Sequence, residues 1–270
     1  MRSPKEINID AKLTKTVDSF YLSGKAMLGL KLLLGDEELQ AAQEYANTVS
    51  IARLGYNDHG PVHMRTVALN AVNMLGLLKK AGIKTSLEKE ESGDFEDSLI
   101  AVIYSSMMHD LGMGMGRSDH EILSITLALP ILERILPQIY KNTQKRIIVR
   151  TLILEGIVCH MGNRSVNSIE AGIVQIADGC DMTKGRARIP ISMNLAPRAG
   201  HIHQYSANSI EKVLIKAGEE KPIRVDVLMS NAAGFFQVEE VLLAKIASNT
   251  VKTYIELYAQ VQEEDSKRYL

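Results

Sequence analysis

The 270-residue sequence has no tryptophan, four phenylalanines and nine tyrosines, so aromatic side chains make up only 5% of it. That is thin material for an aromatic platform that stacks nucleic-acid bases. Cysteine is scarce too: Cys159 and Cys180 give neither a CxxC pair nor a disulfide framework, and a reduced, cytoplasmic setting is the expectation. Charge of one sign is missing, with 31 Lys and Arg against 32 Asp and Glu. Nothing therefore suggests a general affinity for nucleic acid or acidic membrane. No apolar run approaches the length of a membrane span. The opening MRSPKEINIDAKL is polar and mixed in charge, unlike a signal peptide. Internal repeats and low-complexity tracts are also lacking.

What is present is an ordinary globular composition, 46% hydrophobic and 23% charged, enough for one large domain or two unequal ones. Residues 1–34 read as a polar lead and then a helix. Asp36 can cap the next helix, which stops at Gly55, and NDHGPVHMRTVALNAVNMLGLLKKAG is another, ended by Gly82. Residues 84–97 read as a charged surface loop. DSLIAVIYSSMMHD is apolar all round, a buried helix or a strand, with its length and its Ser and Met residues favouring helix. Ser118 and Glu121 form a capping-box pattern before SDHEILSITLALPILERIL, which Pro130 should kink or split. Two further helices cover KRIIVRTLILEGIVCH and NSIEAGIVQIADGCDMTKG. Beyond Pro190 the texture changes: two strands, VLI and IRVDVLM, flank a Gly-Glu-Glu-Lys-Pro turn, then come a helix and a final strand or short helix. The predicted class is mainly α, a helical bundle over residues 1–195 with a small α+β appendage over 200–270.

Histidines and carboxylates punctuate the apolar helices in a fixed order: His63, His109-Asp110, His120, His160, Asp178. A lone histidine on such a helix is weak evidence, but His109 and Asp110 together at a buried helix end are costly without partners. Six such ligands from five segments suit a hard or borderline divalent metal, or two sharing a bridging carboxylate. Arg117, Lys184, Arg186 and Arg188 could bind phosphate oxygens, guanidinium being well shaped for that task, or be ordinary surface charge. GMGMGR lacks the preceding strand and spacing of a dinucleotide fingerprint and reads as the close turn after the HD pair. His201 and His203 have no third ligand nearby and read as structural.

The pattern H…HD…H…H…D, from about Tyr56 to Asp181, resembles that of the HD-domain superfamily of metal-dependent phosphohydrolases. The resemblance implies an HD helical bundle with a binuclear site. His63, His109, Asp110 and Asp178 would hold one divalent metal, and Asp110 would bridge to a second held by His120 and His160. The metals would be two among Mn, Fe, Co, Ni, Mg or Zn, lowering the pKa of a bridging water. In IADGCDM the aspartate after alanine matches the family's last ligand, which favours Asp178 over Asp181. His59, four residues before His63, is similar to the His-x-x-x-His pair of cyclic-nucleotide phosphodiesterases, whose first member protonates the leaving group; the alternative is an exposed residue at a helix start. Asp178 would orient the nucleophile.

The implied activity is hydrolysis of a phosphomonoester or phosphodiester, a nucleotide or related small molecule. A di-iron oxygenase with the same ligands and a non-enzymatic nucleotide sensor are the alternatives. A homo-oligomer stays open as a partner state. The chain departs from known subfamilies: His160 is followed by Met161 rather than a second histidine, Met113 stands where a lysine often follows the HD turn, and no Gly-Tyr-Pro signature is present.

Overall fold

The computed structural model describes residues 2–184, 206–262 and 265–270. Its helices are α1 (Pro4–Asp18), α2 (Lys25–Leu34), α3 (Glu37–Thr48), α4 (Pro61–Lys80), α5 (Ser86–Lys89), α6 (Phe95–Met108), α7 (His120–Ile139), α8 (Thr143–Cys159) and α9 (Ile169–Cys180). A sheet follows: β1 (Ile210–Lys216), β2 (Ile223–Met229), β3 (Ile255–Val261) and β4 (Lys267–Arg268), in that spatial order. Between β2 and β3 runs α10, made of Gly234–Phe236, a wide π-helical stretch Gln237–Leu243, and Ala244–Ala247. The mainly α class with a small C-terminal α+β appendage is what the sequence led us to expect.

α6 is the axis of the helical part. Every one of its residues is buried, including Asp97 and Ser105, and α4, α8 and α9 pack around it. Its start is set by a capping box in which Asp94 and Asp97 each accept the other's backbone N–H at 3.0 Å. Asp36 caps α3 through Leu39 N at 2.9 Å, as its position predicts. Gly82, at φ +72°, takes the left-handed turn that ends α4. α4 is bolted down by Arg65, 1% exposed. Its guanidinium donates to Asp10 on α1 at 2.8 Å and to Gln43 on α3 at 2.9 Å.

Four local expectations need correction. The polar lead is itself α1, begun by a Ser3–Glu6 capping box. Residues 84–97 are not a solvated loop: Thr85 and Glu88 cap α5, and Leu87, Phe95 and Asp97 are buried. The Ser118–Glu121 box is not made; α7 starts one residue later, after Asp119 in a left-handed conformation (φ 53°), with no side-chain cap. That reversal turns His120 inward, and Glu121 instead accepts from Asn163 at 2.9 Å. α7 also runs unbroken through Pro130 and Pro137. It is long and apolar enough by composition to cross a membrane, yet it buries one face (Ala128, Ile131, Leu132, Ile135) in the core.

The appendage is a βαβ unit with two antiparallel edge pairings. β1 and β2 pair antiparallel, β2 and β3 run parallel from Ile223 opposite Ile255 to Met229 opposite Val261, and β3 pairs antiparallel with β4. α10 is the crossover that parallel strands require. One face of β2 (Ile223, Val225, Val227, Met229) is buried, and β1 and β2 lie against α4. Among the described residues, one apolar cluster runs without a break from Leu13 in the bundle to Val261 in the sheet, and a small second one joins Cys159, Val166 and Ala171.

Candidate metal centre

Three of the singled-out histidines are held by one local device. A helix end leaves backbone carbonyls without intrahelical partners. At the end of α6, His109 Nδ1 lies 2.8 Å from Ser106 O; at the end of α8, His160 Nδ1 lies 2.7 Å from Ile157 O. At the start of α7, His120 Nδ1 lies 3.0 Å from Arg117 O, again three residues back. His63, in the first turn of α4, places Nδ1 2.7 Å from Asp181 Oδ2. Each of these partners only accepts, so each Nδ1 carries the ring proton. In the neutral ring the Nε2 of all four therefore presents a lone pair.

Those four lone pairs converge. His63 Nε2 is 3.3 Å and His109 Nε2 3.2 Å from Asp110 Oδ2. His120 Nε2 is 3.1 Å and His160 Nε2 3.4 Å from Asp110 Oδ1. Asp178 Oδ1 joins the first pair, 3.1 Å from His63 Nε2 and 3.7 Å from His109 Nε2. The rings also approach each other, with Nε2 atoms 3.2 Å apart for His63 and His109 and for His120 and His160. None of the six residues is more than 8% exposed. Asp110 Oδ2 is buried and has no hydrogen bond, because the rings beside it lack the aligned N–H. Acceptor facing acceptor in a desolvated space is unfavourable unless a cation sits between. Overlapping triads of these residues bring one ligand atom each within 4.8 Å of one another, so the cluster could hold metal ions and is compatible with an HD-type site.

The electrostatics agree. Burial pushes His160 down to about 4, keeping it neutral. Burial alone would raise Asp178, but the Lys245 ammonium beside it holds that carboxyl well below the usual range. Neither cysteine belongs to the cluster, and burial pushes the Cys180 thiol up. The donor set is imidazole and carboxylate, suited to borderline divalent ions.

Short-range contacts hold the turn at the centre. Asp110 sits at φ −104°, ψ 8°, after which Leu111–Gly114 make a 3-10 turn. Ser124 Oγ donates to His109 O at 2.6 Å and accepts from Gly112 N at 2.8 Å, tying that turn to α7. Gly112 lies so close to α7 that a Cβ would stand 2.1 Å from His120 O. The close turn expected of GMGMGR is thus a backbone-to-backbone contact.

A cavity of about 400 Å³ opens over the cluster, with His59, Asp110, Arg117, His160 and Asp178 in its wall. His59 is 8% exposed, not a solvent-facing cap. Its Nδ1 is 2.7 Å from Asn57 O and 2.9 Å from Ser50 Oγ, and its ring centroid is 6.0 Å from that of His63. Arg117 Nη1 lies 3.4 Å from His120 Nε2. Lys184 pairs with Glu211 on β1 at 2.5 Å and does not line this cavity. Arg186, Arg188, His201 and His203 lie outside the described residues. Asp181, the alternative last ligand, stands behind His63, while Asp178 faces the cluster.

One residue was missed. Lys245, on α10, reaches Asp178 Oδ2 at 2.5 Å and His160 O at 2.9 Å, and it lines the cavity with Glu240, Val241 and Ala244. It lies 67 residues beyond Asp178, and nothing local in LLAKIAS marks it out.

The chain is 43% identical over 232 residues to the uncharacterized protein MJ1020 of Methanocaldococcus jannaschii, an alignment covering 86% of this chain and 88% of that one. The two belong to one family. No family model matches the chain, and no solved structure matches it. The relative's name specifies no chemistry, so the functional reading rests on the site itself.

Proposed function

We propose that the protein is a metal-dependent phosphoester hydrolase acting on a phosphomonoester or phosphodiester, a nucleotide or related small molecule. The observation that supports this most is the convergence of four imidazole lone pairs on the two oxygens of Asp110, one of them without a hydrogen bond. His63, His109, Asp110 Oδ2 and Asp178 Oδ1 would hold one divalent cation. Asp110 Oδ1, His120 and His160 would hold a second, with Asp110 between them. Such ions, when bound, polarise a phosphoryl oxygen and lower the pKa of coordinated water.

The remaining work falls to the chain. Arg117, at the cavity wall beside His120, would place charge-assisted hydrogen bonds on the phosphoryl oxygens. Asp178 would orient the attacking water. His59, held through Nδ1 by Asn57 O, would deliver a proton from Nε2 to the leaving oxygen. The burial of the cluster keeps bulk water away and strengthens each of these interactions.

Metal analysis combined with a phosphoester panel in Mn²⁺, Co²⁺, Ni²⁺ and Fe²⁺ tests the reading. Metal should be bound, at least one ester should be cleaved, and Asp110→Ala should abolish both. Full hydrolysis by Asp110→Ala would sink it. Oxygen uptake without phosphate release would move the same ligands to redox chemistry, and tight nucleotide binding without turnover would make the protein a sensor.

A further inference from the structure

We infer that Lys245, carried by the C-terminal α+β appendage, is a positioning residue of the metal centre, so that the appendage is an integral part of the site. This rests on the reading of the His/Asp cluster as a metal site. Asp178 divides its two oxygens: Oδ1 faces His63 and His109, and Oδ2 accepts from Lys245. The same ammonium donates to His160 O. Lys245 therefore holds a carboxylate from one half of the cluster and the backbone of a histidine from the other. A carboxylate ligand is ordinarily fixed by such an outer partner, whose loss typically costs 10- to 100-fold in metal affinity.

The route of the side chain is built for it. A Cβ on Gly179 would stand 3.3 Å from Lys245 Cδ, and one on Gly162 would stand 3.6 Å from Lys245 Cγ, so the aliphatic stem lies between the end of α9 and the turn after α8. The end of α10 is docked by a second buried contact. Asn249 donates to Gly172 O at 3.0 Å and to Gln175 Oε1 at 2.7 Å, and Gln175 donates to Cys159 O at 2.8 Å, the carbonyl preceding His160. A side chain at Gly172 would collide with Asn249 Oδ1 at 2.4 Å. Lys245 thus meets His160 and Asp178 directly, and Asn249 grips the first half of α9 and reaches the end of α8 through Gln175.

Positioning and simple charge balance predict opposite results. An ammonium beside a ligand carboxylate repels incoming dications, so if Lys245 only neutralised charge, removing it would tighten metal binding. If it positions Asp178, removing it weakens binding. The experiment is a calorimetric Mn²⁺ titration of the metal-stripped full chain, each variant's fold being checked by its thermal melt. Lys245→Met should bind Mn²⁺ roughly 10- to 100-fold more weakly, with kcat lowered and KM nearly unchanged. Lys245→Gln, neutral but still a donor, should recover part of the affinity, and it decides the matter alone if Lys245→Met fails to fold. Unchanged or tighter Mn²⁺ binding in the folded variants overturns the inference. Wild-type protein that binds Mn²⁺ but hydrolyses no ester sinks the proposed reaction alone, leaving the Mn²⁺ comparison to decide Lys245; wild-type protein that binds none overturns both.

Discussion

The two ends of α6 each bury an aspartate, and they treat it in opposite ways. At the N-terminal end Asp97, fully buried, accepts from Lys25 Nζ at 2.6 Å, Tyr140 Oη at 2.9 Å, Lys145 Nζ at 3.1 Å and Asp94 N at 3.0 Å. Its two oxygens meet donors only. At the C-terminal end Asp110, 1% exposed, meets four imidazole nitrogens whose protons point elsewhere, and its Oδ2 has no hydrogen bond. One helix thus carries a closed polar cluster and an open one. Burial of a carboxylate is common to both and says nothing about function by itself. The difference lies in whether donors are supplied, and a protein that withholds them at a buried charge leaves room for a cation from outside.

Exchanging the two ends' roles by mutation should produce a double dissociation. The largest effect is expected from Asp110→Asn. Removing the charge between the two ligand sets should cost at least about a thousandfold in turnover, roughly 4 kcal/mol of transition-state stabilisation. The melting temperature of the metal-free protein should hold or rise, because a buried unpaired charge has been relieved. A variant that melts much lower without metal would break the contrast. Asp97→Ala should do the reverse, stranding two ammonium groups and a phenol. Their side chains are 22% exposed for Lys25 and 32% for Lys145, so water softens the loss to about 3 kcal/mol, at the low end for a broken buried pair. Denaturant unfolding measures this, and kcat at a temperature where the variant is folded should stay within about twofold.

Much of the open end was legible in the sequence, and less of the closed one. His63, His109, Asp110, His120, His160 and Asp178 could be picked out because each falls at the edge of an apolar helix, where a polar residue of metal-binding type is conspicuous. Asp97 was hidden in KTSLEKEESGDFED, which reads as solvated charge. Its partners Lys25, Tyr140 and Lys145 lie 72, 43 and 48 residues away, and no local periodicity links them. Lys245 escaped for the same reason: a lysine in a short amphipathic helix is ordinary until the βαβ crossover lays that helix across α9. Ser118–Glu121 misled because a local capping pattern lost to a tertiary demand, the inward turn of His120. Asp178 and Asp181 could be ranked only by resemblance, and distance now separates their positions, one facing the cluster and one behind His63.

The smallest effect expected is in the acid limb of stability, where the two ends should occupy separate pH windows. A buried histidine held neutral loses stability for the fold as it is forced to protonate. His160 titrates near 6.5 when unfolded and is pushed down to about 4 by burial. The unfolded chain therefore binds the extra proton first, and the metal-free fold should weaken as the pH falls from about 6.5 to about 4. Asp97 has the opposite balance: burial would raise it, but the hydrogen bond from Lys25, with those from Asp94 N and Tyr140, holds it below its ordinary value. Its contribution is complete above the unfolded value of about 3.9 and is lost only as the pH drops below that. Urea midpoints across pH 3–8 on metal-free protein should show both limbs. Asp97→Ala should flatten the lower and leave the upper. Saturating Mn²⁺ should shift the upper limb to lower pH, since metal and proton compete for the same Nε2 atoms. An upper limb indifferent to Mn²⁺ would mean that the imidazole lone pairs at the C-terminal end of α6 are not what the metal binds, and the contrast between the two ends would have to be drawn elsewhere.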